Sequence, residues 1–210
     1  MSATRPARTI ALTGGIAAGK SAVSRRFEAR GIHVHDADVG AREVVAPGTD
    51  GLTAVVRAFG DAVLQADGQL DRRALRARVF ADAEARRRLE AIVHPRVDAW
   101  LRARVAAETD AWCLLAIPLL AETWPQYRWV DRVLLVDASP DTRIARLIQR
   151  DDIDTATARR MLAAQASDAE RRALADDIID NNGDEAALDT AVDALVRRYR
   201  EWSTPARRDG

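Results

Sequence analysis

Apolar residues along this chain fall into a few short unbroken runs. Between the runs they recur at three- and four-residue intervals. The runs predict strands at Thr9-Ile10-Ala11-Leu12, over residues 31–38, from Trp112 to Ile117, from Val133 to Asp137 and in Asp177-Ile178-Ile179-Asp180-Asn181-Asn182-Gly183, a short strand ending in a turn. Trp112 to Ile117 and Val133 to Val136 are almost wholly apolar, as strands covered on both faces of a parallel sheet are. After the first strand, Val23 and Phe27 followed by Arg30-Gly31 predict a helix with one apolar face and a glycine stop. Residues 39–108 read as helical and charge-rich, with turns at Pro47-Gly48 and Asp67-Gly68. Apolar stripes there run through Leu75, Val79 and Phe80, then through Leu89, Ile92 and Val93. A helix over Asp141 to Arg150 follows the fourth strand, and Leu188, Val192, Leu195 and Tyr199 mark a closing amphipathic helix ahead of a polar tail. Alternating strands and helices predict an α/β fold, a parallel sheet of about five strands with helices on both faces. There is no internal repeat and no low-complexity segment.

Chemistry concentrates at the end of the first strand. Gly14-Gly15-Ile16-Ala17-Ala18-Gly19-Lys20-Ser21 satisfies G-x-x-x-x-G-K-[ST], and it lies between a predicted strand and a predicted helix, as a phosphate-binding loop must. The loop N–H groups and the helix N-terminus receive phosphate oxygens. Lys20 brings a charge to the β- and γ-phosphates, and Ser21 places a hydroxyl where Mg²⁺ takes a ligand. The expected fold class is therefore a P-loop NTPase-type sheet, with core segments 1–38, 110–140 and 170–205. Residues 39–109 are expected to form a helical acceptor-binding insertion, and residues 141–169 a helical lid.

Lys+Arg and Asp+Glu both number 32, so no net charge drives the chain toward nucleic acid or an anionic membrane. Lys20 is the only lysine, so arginine supplies the positive charge everywhere except the loop, where a compact ammonium suits the cradle better. Cys113, the sole cysteine, lies in an apolar run and reads as a buried, inert thiol. No apolar run reaches the length of a membrane span and no signal-peptide pattern is present, so the expectation is a cytoplasmic protein with Met1 to Arg8 as a disordered lead-in. The sequence does not define an oligomeric state.

Several polar residues have two readings. Asp36 and Asp38 fall at the carboxyl end of the second strand, where parallel sheets place ligands. On an extended strand the two would share a face. Asp38 is either a base for a substrate hydroxyl or the cap of the helical pattern Val39 to Val45. Asp137 stands either in the position of a Walker-B carboxylate or as the cap of the Ser139-Pro140 helix. His94 precedes Pro95, which restricts its backbone; it reads as a structural histidine or as a hydrogen-bond donor to a phosphate or carbonyl. Arg143, Arg146 and Arg150 line one helix that continues into a charged segment, Asp151 to Asp168. That pattern is either a phosphate-clamping lid or a solvated helix whose arginines pair with Asp151 and Asp152.

Three kinds of phosphate-loop protein compete. A guanine-nucleotide switch needs N-K-x-D for the base, which a chain with one lysine cannot supply. A nucleic-acid motor needs a basic or aromatic track, which this composition lacks. A small-molecule kinase needs a loop, a carboxylate, arginines and a lid, and each has a candidate here.

The residues then become distinctive. Ala11-Leu12-Thr13-Gly14-Gly15-Ile16-Ala17-Ala18-Gly19-Lys20-Ser21, joined to Asp36-Ala37-Asp38 with Arg42, resembles dephospho-coenzyme A kinase. Matches continue through Leu70-Asp71-Arg72 with Leu75 and Val79-Phe80, His94-Pro95, Pro118-Leu119-Leu120 with Glu122, Gln149-Arg150-Asp151 and Ile178 to Gly183. The resemblance implies ATP- and Mg²⁺-dependent phosphorylation of the ribose 3′-hydroxyl of dephospho-CoA, with another nucleoside or nucleotide kinase as the alternative. It implies Asp38 as the base, and Thr13, Arg42 and His94 on the acceptor side; Arg72, on a basic helical face that either receives an anionic substrate or is simply solvated, is a further substrate-binding candidate. The loop from Gly14 to Ala22 would hold ATP, Arg146 and Arg150 would meet its phosphates from the lid, and Asn181 would lie near the adenine. The chain departs from the family's Gly-Ile-Gly-Ser-Gly-Lys-Ser-Thr at Ala17, Ala18 and Ala22. Alanine at position 17 is expected only with a negative φ. Ala116 stands where many relatives carry an aspartate.

Overall fold

The computed structural model describes residues 7–204. Met1 to Pro6 of the expected lead-in, and the tail from residue 205, lie outside the described residues. Arg8 is not part of a lead-in: its N–H donates to the Ala111 carbonyl at 2.9 Å and it opens the first strand.

The chain forms two compact units, one reaching Asp36 and resuming at Val105, the other Ala37–Arg104. The first is built on five parallel strands in the order β2-β3-β1-β4-β5, with β1 Arg8–Gly14, β2 Val34–Asp36, β3 Trp112–Ala116, β4 Arg132–Asp137 and β5 Asp177–Asp180. β1 pairs on both edges and is almost entirely buried, which is why its run has no polar alternation. Gly14 closes it for a steric reason, since a Cβ there would sit 2.8 Å from the Val136 carbonyl oxygen of β4. Helices α1 (Lys20–Glu28) and α10 (Glu185–Ser203) bury Val23, Phe27, Leu188, Val192, Val196 and Tyr199 against the sheet. Trp112 joins this layer edge-on to Phe27 at 6.3 Å and to Tyr199 at 5.5 Å.

Under Tyr199 lies a polar centre. Its hydroxyl donates to buried Asp177 at 2.9 Å, and Arg132 and Arg198 also bind that carboxylate. Burial, with Asp177 alongside, pushes the phenol well above its ordinary range. Cys113 is fully buried and its thiol is pushed up to about 12, chiefly by burial, so it stays protonated and inert.

Beyond β4, α7 runs over Pro140–Asp151, α8 over Thr155–Ala163 and α9 over Asp168–Leu174. Ser139 caps α7 by accepting from the Thr142 N–H at 3.1 Å, so Asp137 is not its cap. The charged segment Asp151 to Asp168, part of the expected helical lid, contains α8 and the start of α9, capped by Asp154 and by a Ser167–Glu170 capping box. α6 is a single turn, Leu120–Thr123.

The second unit holds α2 (Ala37–Glu43), α3 (Asp50–Phe59) and α4 (Arg72–Ala81), and α5 (Ala83–Ala106) begins in it. Their core is Val45, Leu52, Val55, Phe59, Val63, Leu70, Leu75 and Ala85. Phe80 departs from the expected stripe and is 93 % exposed. It lies five positions beyond Leu75, and 100° per residue turns it off the face that Leu75 and Val79 share. α5 continues through His94-Pro95 without a break. Pro95 has no N–H for the preceding turn, and the Arg96 guanidinium donates to the Ile92 carbonyl at 2.7 Å there. Glycine at position 40 lets α2 approach α5, since a Cβ would meet the Trp100 ring at 2.9 Å, and Trp100 Nε1 donates to Glu43 at 2.7 Å. No helix among the described residues is long and apolar enough to cross a membrane.

Tyr199→Phe removes one donor from buried Asp177 while keeping the ring packing. The expected loss is about 1 kcal/mol of unfolding free energy in denaturant titration; an unchanged midpoint would show that the two arginines satisfy Asp177 alone.

Candidate active site

The carboxyl ends of all five strands point to one edge of the sheet, and β1 delivers the loop Gly15–Gly19 there, between its last residue and α1. The loop is tightly wound. The Ala18 N–H donates to the Gly15 carbonyl at 3.0 Å, and Gly19, at φ 101°, turns the chain into α1 as an N-cap without a side-chain bond. The first turn of α1 thus presents its N–H groups with no side chain capping them. Ala17 is left-handed at φ 58°. This reverses the expectation of a negative φ: the winding that aims the loop inward demands αL there whether or not glycine occupies the position.

What holds the loop comes from β5 and α7. Asn181, buried just beyond β5, donates from Nδ2 to the Ala18 carbonyl at 2.7 Å. Arg146 of α7 reaches the Ala17 and Ala18 carbonyls at 3.4 and 3.3 Å and the Asn181 carbonyl at 2.8 Å. A Cβ on Gly19 would lie 2.0 Å from Asn181 Nδ2, so glycine there admits the clamp. Asn181 is thus a brace on the loop. Beside it a cleft of about 210 Å³ is lined by Gly19, Ala22, Arg146, Gly183 and Leu188 among others.

A second group of cations lies over Gly15, where a Cβ would stand 2.2 Å from Arg143 Nη1 and 3.1 Å from Arg171 Nη2. Both guanidiniums are buried, and both bind one carboxylate, Asp168, at 2.8 and 2.5 Å. Two buried cations on a single anion leave positive charge directed at the loop, a field suited to phosphate. Gln165 adds a contact of another kind, accepting the Ile16 N–H at 2.8 Å. Sequence reasoning placed Arg143 on its helix without assigning it to the site, and missed Arg171 and Gln165 altogether. Arg143 stands one turn before Arg146, which was a usable signal. Arg171 sits in a charged run with no pattern to single it out.

Other expected residues fall as follows. Lys20 Nζ lies 3.8 Å from Asp36 Oδ2 at the end of β2. The Ser21 hydroxyl stands on the exposed first turn of α1. Buried Thr13 donates its hydroxyl to the Pro118 carbonyl at 3.4 Å. Arg150 is held by the Asp151 carboxylate at 2.7 Å and is not among the residues at the loop, the pairing that the solvated-helix reading anticipated. Asp137 accepts from Arg172 of α9. Asp38 does not share a strand face with Asp36, because β2 ends at Asp36 and Asp38 is the second residue of α2; nor does it precede that helix as a cap. Arg42 lies one turn beyond Asp38, and Arg72 donates to the Arg42 carbonyl at 3.4 Å. Those three therefore gather on or against α2, while His94 sits in α5.

The family model for dephospho-CoA kinase matches residues 8–187. The chain belongs to the dephospho-CoA kinase family. Curated relatives with that name include one from Methylococcus capsulatus, 50 % identical over 90 % of this chain and 96 % of its own, and one from Xylella fastidiosa, 50 % identical over 91 % and 93 %. Among solved structures, a Thermus thermophilus protein is 31 % identical with a TM-score of 0.79, covering 92 % of this chain and 98 % of its own. The shikimate kinase of Acinetobacter baumannii, 18 % identical with a TM-score of 0.52 and coverage of 96 % and 97 %, shares the fold alone. This member is thus a kinase whose loop carries alanine in a conformation that suits glycine.

An αL alanine costs roughly 1–2 kcal/mol, and glycine returns part of that relief to the unfolded chain as entropy. Ala17→Gly is therefore expected to stabilise this kinase by about 0.5–1 kcal/mol, and Ala17→Val to destabilise it by more. Paired denaturant titrations check the order; equal midpoints would remove strain from the account.

Proposed function

We propose that this kinase transfers the γ-phosphoryl group of ATP to the ribose 3′-hydroxyl of dephospho-CoA, giving coenzyme A and ADP. The observation that carries the reading is the phosphate loop braced by Arg146 and Asn181 and overlain by Arg143 and Arg171, in a chain matched by the family over residues 8–187. The loop from Gly14 to Ala22 and the N-terminus of α1 take the β- and γ-phosphates, and Lys20 leaves Asp36 to contact the transferring group. The cleft beside Asn181 takes the adenine. Arg146 steadies the loop as charge moves. Arg150 is assigned to the lid, where it exchanges Asp151 for phosphate oxygen as the helices close over ATP.

On the acceptor side, Asp38 is the base. The 3′-oxygen forms its bond to phosphorus as the bond to the β-phosphate oxygen breaks, the hydroxyl proton passes to the Asp38 carboxylate, and ADP leaves. Arg42, Arg72 and His94 orient the anionic acceptor. Thr13, tied to Pro118, keeps the end of β1 in place beside it. Ser21, with a hard oxygen donor on the first turn of α1, would hold Mg²⁺, and Ala116 would offer it no carboxylate. When bound it neutralises charge on the β- and γ-phosphate oxygens. We place the reaction in the cytoplasm, where ATP is at hand.

The test is ATP consumption with dephospho-CoA, AMP, CMP, shikimate or no acceptor, in wild type and Asp38→Asn. Turnover is expected with dephospho-CoA alone, and the variant should lose about 10²-fold in kcat with KM for ATP unchanged. Turnover on a different acceptor would keep the loop and overturn the substrate. Loss confined to KM for ATP would remove Asp38 from the chemistry.

A further inference from the structure

The edge of the sheet away from the phosphate loop carries a cluster that the kinase reaction does not use. β2 is an edge strand, paired only with β3, and His33 directly precedes it while His35 lies within it. The connection between α5 and β3 brings Glu108 and Asp110 alongside. His33 Nδ1 lies 2.8 Å from Glu108 Oε2 and 3.7 Å from Asp110 Oδ2, and the donor atoms of these three residues all fall within 4.8 Å of one another. The other Glu108 oxygen binds His35 Nε2 at 2.6 Å.

We propose that His33, Glu108 and Asp110 form a binding site for a divalent transition-metal ion of the Zn²⁺ type, with His35 fixing the Glu108 carboxylate from behind. One imidazole and two carboxylates are a zinc-like donor set, and three protein ligands leave a fourth position for water. Tetrahedral bonds of about 2.0–2.2 Å separate ligand atoms by roughly 3.3–3.6 Å. The two His33 contacts, 2.8 and 3.7 Å, straddle that interval, and all three donor atoms lie within 4.8 Å of one another, so side-chain rotation can bring the set around one ion. His35 supplies the hydrogen bond that ligating carboxylates characteristically receive from an outer partner.

Backbone around the cluster is anchored, because the Leu114 N–H donates to the His33 carbonyl at 2.9 Å and the Glu108 N–H to Val105 at 3.2 Å. The Glu108 side chain is only 5 % exposed, whereas His33 and Asp110 stand at 58 and 51 %. An ion therefore enters from solvent, through an open pocket of about 620 Å³ lined by Gly31, His33, His35 and Glu108 among others, and meets a desolvated carboxylate at its floor. A second group, His35, Glu108 and Cys113, shares that carboxylate. It is the poorer host, because Cys113 is fully buried, away from the solvent side by which an ion enters.

The experiment titrates Zn²⁺ into untagged, metal-stripped full-length protein by calorimetry and follows Co²⁺ substitution by visible absorption, without nucleotide. A single equivalent is expected, with Co²⁺ bands of a four-coordinate nitrogen- and oxygen-ligated ion and no uptake of Mg²⁺ at this place. His33→Asn and Asp110→Asn should each weaken Zn²⁺ binding about tenfold or more, and His35→Asn about tenfold through Glu108. Ser21→Ala should leave it unchanged, which separates this site from the phosphate loop. His33 is exposed, so its variant is expected to fold and to keep kinase turnover. Absence of uptake by wild type, or uptake indifferent to His33→Asn, would overturn the proposal. A thiolate-to-Co²⁺ charge-transfer band would also overturn it, by moving the ion to Cys113. The Co²⁺ spectrum of wild type decides even where a variant does not fold.

Discussion

Everything at the nucleotide end of this kinase depends on keeping a few carbonyls of the phosphate loop turned outward so that its N–H groups turn inward. That winding opposes the intrinsic preference of Ala17, which is held at φ 58°. The opposing contacts are specific. Arg146 binds the carbonyls of Ala17 and Ala18, Asn181 binds that of Ala18, and glycine at 19 lets Asn181 come close enough to do so. Strain of this order persists only where the surroundings over-determine the conformation. The brace is also why Asn181 is buried: its side-chain amide is spent on the Ala18 carbonyl.

The electrostatics follow from the same economy of parts. Arginine provides every cation except Lys20, and buried arginine requires a planar acceptor. Asp168 is that acceptor for both Arg143 and Arg171, and it is shared, so the pair keeps a net positive field against Gly15. A second carboxylate would have stabilised the guanidiniums and removed the field. Gln165 completes the arrangement with a neutral acceptor on the Ile16 N–H, a bond that phosphate oxygen can replace without leaving a charge behind.

Much of this was legible in the sequence for definite reasons. Strands β1, β3 and β4 are apolar runs because neighbours bury both their faces, and the loop motif carries its own geometry. The helical stripes were legible as far as their period held: Leu75 and Val79 pack, while Phe80 lies just off the face. What escaped notice depends on contacts across long separations. Asn181 and Ala18 are 163 residues apart, and nothing local to Asn181 says that its amide braces a loop. Arg171 and Gln165 belong to a charged segment whose composition matches any solvated helix. The αL state of Ala17 was misread because glycine was taken as the requirement, whereas the requirement is the winding itself.

The strand β2 shows how a short element can serve two chemistries. It has only three residues, Val34–Asp36, and one edge without a neighbouring strand. Alternation along such a strand sends successive side chains to opposite faces, and its ends lie toward opposite edges of the sheet. Its last residue, Asp36, reaches Lys20, whereas His33 just before the strand and His35 in its middle gather on Glu108. The direction of a parallel strand thus separates a phosphate site from a cluster of metal-ligating groups.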